Sequence, residues 1–201
     1  MSESNEVKRA QLIARLMEYI PYNEQEARDR ETILRLLRSR DDIFLRLNTF
    51  AHMTASAWVV DSTRTKVLMA YHNIYNSWSW LGGHADGEAD LLQVAIREVR
   101  EESGVNFVEP LTEDIFSIEV LTVDGHEKRG AYVPSHLHLN ITYLLEASEN
   151  EETRIAEEEN SGVKWFPLSE AVAASSEEWF RERIYSKLNQ KLNLFLLKQR
   201  Q

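Results

Sequence analysis

The segment Gly82 to Val105, GGHADGEADLLQVAIREVREESGV, decides how this 201-residue chain is read. A helix advances about 100° per residue, which gathers Glu98, Glu101 and Glu102 into the i, i+3, i+4 neighbourhood where side chains meet. Leu91, Val94 and Ala95 fall in the same sector one to two turns earlier, and Leu92, Ile96 and Val99 widen the apolar stripe. The spacing therefore predicts a helix whose buried face turns acidic at Glu98. Asp90, Gln93, Arg97 and Arg100 lie on the other side and read as solvent-facing, and Gly104 supplies the helix stop. Three carboxylates at the border of a packed interior repel one another unless a cation sits among them. A hard divalent ion with oxygen ligands, Mg²⁺ or Mn²⁺, is the expected neutraliser.

These residues resemble the Nudix hydrolases, whose box is G-x5-E-x7-R-E-U-x-E-E-x-G-U, with U aliphatic. Counted from Gly83, the positions Arg97, Glu98, Val99, Glu101, Glu102, Gly104 and Val105 all fit. Ala89 stands where the box has its first Glu, with Glu88 one residue early. Either Glu88 takes that role with a shorter loop and a longer helix, or the role is absent. The GGHAD turn and the upstream stretch AHMTASAWVV, residues 51–60, look like a GGHAD-type subgroup of that family. The resemblance implies a Nudix-like α/β/α sandwich with a mixed β-sheet, a divalent cofactor and hydrolysis of a diphosphate linkage in a nucleotide derivative.

Roles follow from the same residues. Glu98, Glu101 and Glu102 are the expected metal ligands, since a bound ion lowers the pKa of water and bridges phosphate oxygens. Gly82 and Gly83 allow a sharp turn beside them, and with His84 and Asp86 they form the candidate substrate-binding turn. Arg97 is expected to brace the loop or an acid. The catalytic base is sought in the acidic stretch before Trp165, where Glu159 is the leading candidate, Glu157 and Glu158 are rivals, and Glu102 is the other choice.

Composition bounds the remainder. With 43% hydrophobic residues the chain can build a full core, and with no cysteine it has neither disulfides nor thiolate ligands. No membrane-length apolar run or signal-like segment is evident, so cytoplasmic residence is the default expectation. Residues 1–50 carry nine basic and nine acidic side chains, so the net charge of −10 lies wholly in residues 51–201. Such a domain repels polyanions, and duplex nucleic acid is an unexpected partner.

Residues 1–50 read as a helical extension. Leu12, Ile13, Leu16 and Met17 lie at helical spacing before Pro21, and Asn23 with Glu26 starts a second helix running through Ile33, Leu34, Leu36 and Leu37. A packing role or a homodimer contact is expected of them. Residues 51–201 read as the hydrolase domain. Strands are expected over 54–60 and 66–71, joined by a hairpin, and over 115–123, 136–145 and 162–166. Asp124 to Pro134, with Lys128 and Arg129, reads as a charged loop. Ser175 and Glu178 form a capping box for a long C-terminal helix with Phe180, Ile184, Leu188, Leu192 and Leu196 on one stripe.

His52, His72, His84, His136 and His138 lie at strand ends or beside the glycine turn, and His136 and His138 share one face of their strand. For each alone a structural role is the plainer reading. Tyr75, Trp78 and Trp80 are candidates to stack on a base, with packing again the plainer account. ADP-ribose or nucleotide sugars are the first expected substrates and nucleoside triphosphates the second. A nucleotide sensor of the same fold that does not cleave its ligand is the alternative, less favoured because the three carboxylates are intact. An isomerase of the isopentenyl diphosphate type would use a cysteine that this chain lacks.

Overall fold

The computed structural model describes residues 3–128 and 130–199; Arg129 of the charged loop lies outside them. Contacts divide the chain into two compact units, one made of residues up to Ser56 with Gly83–Ala95 and Glu113–Tyr143, the other of Ala57–Gly82, Ile96–Thr112 and the chain from Leu144 onward.

In the first unit, α1 (Glu3–Glu18) ends before Pro21, and α2 (Glu24–Ser39) starts where the Asn23 side chain accepts the Glu26 N–H at 3.0 Å. Leu12, Leu16, Ile33, Leu36 and Leu37 are buried, as their helical spacing requires. Helix α2 packs on β6 (Ser117–Val123), which pairs antiparallel with β9 (His136–Ala147) from Ser117↔Thr142 to Val123↔His136. The start of β1 (Ala51–Val60) runs parallel to β9, because its contacts climb in step: Leu137 N–H to the Phe50 carbonyl, then Thr54 and Ser56 hydroxyls to Asn140. The sheet is therefore mixed.

A buried polar network ties α2 to this sheet. Glu26, fully buried, accepts from the Tyr19 hydroxyl and the Tyr22 N–H at 2.7 Å each and from the Ser117 hydroxyl at 2.8 Å. Glu119, also fully buried, accepts from Asn140 and Thr142 at 3.0 and 2.9 Å. Glu26→Ala removes the acceptor that Tyr19, Tyr22 and Ser117 share, and the expected loss is about 3 kcal/mol in denaturant unfolding. A loss below about 0.5 kcal/mol, the ordinary scale of a surface change, would show that this network does not hold α2.

The expected charged loop contains a ribbon. Strands β7 (His126–Lys128) and β8 (Ala131–Val133) pair antiparallel around Gly130, whose φ of +77° suits a residue without a Cβ.

In the second unit, the end of β1 forms the expected hairpin with β2 (Lys66–His72), antiparallel at Val60↔Val67. The Asp61 carboxylate holds the turn, accepting backbone N–H groups of Thr63, Thr65 and Lys66. Strand β2 also pairs with β3 (Ser77–Ser79) and with β10 (Asn160–Pro167). Strand β4 (Leu81–His84) carries the glycine turn, and β5 (Val108–Pro110) pairs antiparallel with the end of β9. The short β3, β4 and β5 lack the length for a readable period-two pattern.

Pro167 leads into α4 (Leu168–Ala174), which packs on β2 and β10. The C-terminal helix departs from the expected uniform α form: Phe180–Tyr185 is a π-helical turn, followed by α5 (Ser186–Lys198). The Ser186 N–H and hydroxyl both reach the Arg181 carbonyl, five residues back. The wider turn lets Ile184 and Tyr185 both be buried, and Tyr185 stacks on Trp58 with ring centroids 5.5 Å apart. Helices packed on a mixed set of strands give the α/β class read from the sequence.

Candidate active site

Helix α3 (Leu91–Ser103) begins where Asp90 accepts the Gln93 N–H at 3.3 Å and ends at Gly104. Its apolar stripe is buried as predicted, with Leu91, Val94, Ala95 and Val99 almost fully shielded. Gly104 is required twice over: its φ is +74°, and a Cβ there would come within 2.9 Å of Arg154.

The second unit brings together Glu98, Glu101, Glu102, Arg97, Gly82 and Glu159. Glu102 is only 5% exposed, and its Oε2 accepts the Gly82 N–H at 3.0 Å. Among the described residues no cationic side chain pairs with it. Glu98 accepts from Arg97 at 2.6 Å, and the same guanidinium lies 3.9 Å from Glu101, so Arg97 braces two of the acids. Burial pushes the Glu102 carboxyl well above the usual carboxylate range; the Gly82 N–H offsets this in part, and Glu98, Glu159 and Glu101 add repulsion. Burial likewise raises Glu98, against the pull of Arg97 and with further repulsion from Glu101 and Glu159.

Glu159 thus acts electrostatically on both Glu98 and Glu102, although it is itself exposed in a turn. Its neighbour Asn160 fixes that turn. Asn160, 1% exposed, donates to the Glu102 carbonyl at 2.9 Å and accepts the Ala156 N–H at 3.3 Å, while Asn73 N–H donates to the Glu159 carbonyl at 3.0 Å. Asn160 was missing from the sequence reading, since a single asparagine outside any motif gives no signal. The donor set is carboxylate oxygen throughout, and one buried acid lacks a cationic partner. That chemistry fits a hard divalent ion.

Gly83, His84 and Asp86 belong to the first unit. Asp86, at φ +48°, is paired with the Arg46 guanidinium, whose Nε lies at 2.6 Å. Glu88 caps the start of α3 by accepting the Asp90 N–H at 2.8 Å, and Lys8 of α1 reaches it at 3.1 Å. Ala89 beside it is buried. His84 packs among His52 and His138, with ring centroids 5.1 and 4.9 Å away. In the second unit Trp78 meets Tyr71 and Phe166 edge-on, and Trp80 meets Phe180 and Tyr185. Both indoles are therefore used in packing, the plainer of their two readings.

The family model described as NUDIX domain matches residues 51–188, more than half of the chain. The chain belongs to the Nudix family. It is accordingly a Nudix pyrophosphate hydrolase, and α3 lies within the matched residues. Among solved structures, an Ap4A hydrolase from C. elegans in a binary complex shares 20% identity at a TM-score of 0.50, covering 73% of this chain and 98% of the other. A NUDIX-family hydrolase from Clostridium perfringens shares 22% at a TM-score of 0.52, covering 72% and 97%. These likenesses show a shared Nudix fold. No curated protein matches the chain. Among the described residues no helix is long and apolar enough to cross a membrane.

The raised carboxyl of Glu102 has a consequence for stability. A carboxyl whose folded pKa exceeds its unfolded value contributes stability that is fully present below about pH 4.5 and lost as pH rises through the folded value. In metal-free protein, Glu102→Gln should therefore gain stability over the parent by a margin that grows as pH rises toward neutrality. Excess Mg²⁺ should stabilise the parent selectively. Thermal unfolding across pH, with chelator and with Mg²⁺, reads both effects; a margin independent of pH contradicts the assignment.

Proposed function

We propose that this Nudix protein is a divalent-metal-dependent hydrolase that cleaves the diphosphate linkage of a nucleoside diphosphate joined to another group, with Mg²⁺ or Mn²⁺ held by Glu98, Glu101 and Glu102. The observation that carries the proposal is the Glu102 carboxyl, buried against the Gly82 N–H and repelled by the charges of Glu98, Glu159 and Glu101. When bound, such an ion supplies a lowered pKa for water and charge neutralisation for phosphate oxygens.

The chain's own groups supply the other parts. Glu159, exposed and therefore accessible to water, accepts the proton of the attacking water, with Glu102 as the alternative base. Arg97 holds Glu98 and Glu101 in place. The turn from Gly82 through Gly83, His84 and Asp86 is the substrate-binding segment. In this reading residues 51–201 are the hydrolase domain and residues 1–50 a helical extension with a packing or homodimer role. The protein acts in the cytoplasm on small phosphorylated nucleotides and does not engage duplex nucleic acid, in keeping with its acidic charge.

ADP-ribose and nucleotide sugars are the first substrates to try and nucleoside triphosphates the second. The test is incubation with a panel of these, together with dinucleoside polyphosphates and dinucleotide cofactors, in Mg²⁺ or Mn²⁺ and in chelator, with products identified by mass. Metal-dependent cleavage at a diphosphate bond is expected. Binding of a panel member without cleavage would overturn the enzyme reading in favour of a nucleotide sensor.

A further inference from the structure

The first unit contains a group of four imidazoles, of which only His84 belongs to the proposed substrate-binding turn. His52 on β1, His84 at the end of β4, and His136 and His138 on β9 pack ring against ring. Centroids lie 4.8 Å apart for His52 and His136, 5.0 Å for His52 and His138, and 5.0 Å for His136 and His138. The parallel pairing of β1 with β9 brings His52 beside the two β9 histidines, and the glycine turn brings His84 to the same place.

Hydrogen bonding fixes the tautomers. His52 Nδ1 lies 3.0 Å from the Asn48 carbonyl oxygen, which can only accept, so Nδ1 carries the hydrogen. In the neutral ring Nε2 then bears the lone pair, and that atom is buried with no hydrogen-bond partner among the described residues. His136 is oriented in the same way, with Nδ1 2.8 Å from the Pro134 carbonyl and Nε2 3.1 Å from His138 Nε2. A ring whose outer N–H is held by a backbone carbonyl, leaving the other nitrogen bare, is prepared to ligate a metal. Packing alone accounts for stacked rings, yet it leaves the buried His52 Nε2 unsatisfied.

One potential ligand nitrogen from each of His52, His84 and His138 lies within 4.8 Å of the others. Two imidazole nitrogens on one tetrahedral Zn²⁺ stand about 3.4 Å apart, from a Zn–N distance of about 2.05 Å. Small side-chain movements close the difference. We propose that His52, His84 and His138 form a transition-metal site of the Zn²⁺ class, with His136 as the hydrogen-bonding partner that orients His138. Three nitrogen ligands select a borderline ion, whereas the oxygen-only set on α3 selects Mg²⁺ or Mn²⁺, so the two sites differ in chemistry. Three protein ligands also leave a fourth tetrahedral position for water or another ligand.

The test uses the full chain, stripped with chelator and then dialysed against Zn²⁺ in the presence of excess Mg²⁺. The wild type should retain one Zn²⁺ per chain, and Glu102→Gln should retain it equally. His84→Ala and His138→Ala should each bind at least about tenfold more weakly while keeping the wild-type circular dichroism. X-ray absorption of the Zn²⁺-loaded wild type should show a nitrogen shell with the imidazole signature, a readout that stands even where a variant fails to fold. Absence of tight Zn²⁺ binding in the wild type, binding unaltered in both folded histidine variants, or an oxygen-only shell overturns the proposal. Loss of Zn²⁺ in Glu102→Gln alone assigns the ion to the α3 carboxylates and likewise overturns it.

Discussion

Glu102→Gln is expected to lower turnover about a thousandfold, equivalent to about 4 kcal/mol of lost transition-state stabilisation, while leaving the protein folded. The amide keeps an oxygen that can accept the Gly82 N–H, so the contact at 3.0 Å survives and the side chain stays seated. What disappears is the negative charge at the most deeply buried member of the cluster. The substitution also relieves the repulsion from Glu98, Glu159 and Glu101, so the variant should unfold no earlier than metal-free wild type. A folded variant that keeps near-normal Mg²⁺-dependent activity would remove Glu102 from the metal site.

Glu159→Gln is expected to lower kcat about a hundredfold with little change in KM, the pattern for loss of a proton acceptor. The side chain is exposed, and the turn is held by neighbouring Asn160 and by Asn73, so the change should leave the backbone in place. Glu157→Gln, two residues away in the same acidic turn, is the control and should be close to neutral. Equal activity in both variants would return Glu159 to the status of a solvated turn residue and leave Glu102 as the base.

The helix and its acids were legible because both depend on local spacing. The i, i+3, i+4 geometry gathers Glu98, Glu101 and Glu102, and Gly104 marks the stop, whatever the chain does elsewhere. Position in a helix also gave the buried face from Leu91 to Val99. Contacts across long stretches of sequence were not legible. The bond from Asn160 to the Glu102 carbonyl spans 58 residues and determines which acidic turn residue stands near the cluster. The gathering of His52 and His84 around His138 depends on β1 running parallel to β9, and alternation along a strand does not encode its neighbour or its direction. The π-turn at Phe180–Tyr185 escaped for another reason: a single widened turn shifts the apolar stripe by one residue, within the tolerance of a helical pattern.

We propose that the carboxylates of α3 hold a divalent cation. The most direct measurement is a Mn²⁺ titration followed by water-proton relaxation, with Mg²⁺ as competitor, on wild type, Glu98→Gln and Glu102→Gln. Wild type should bind Mn²⁺ in a form that Mg²⁺ displaces, and each variant should bind at least about tenfold more weakly. The same Mg²⁺-displaceable Mn²⁺ affinity in all three proteins would contradict the account.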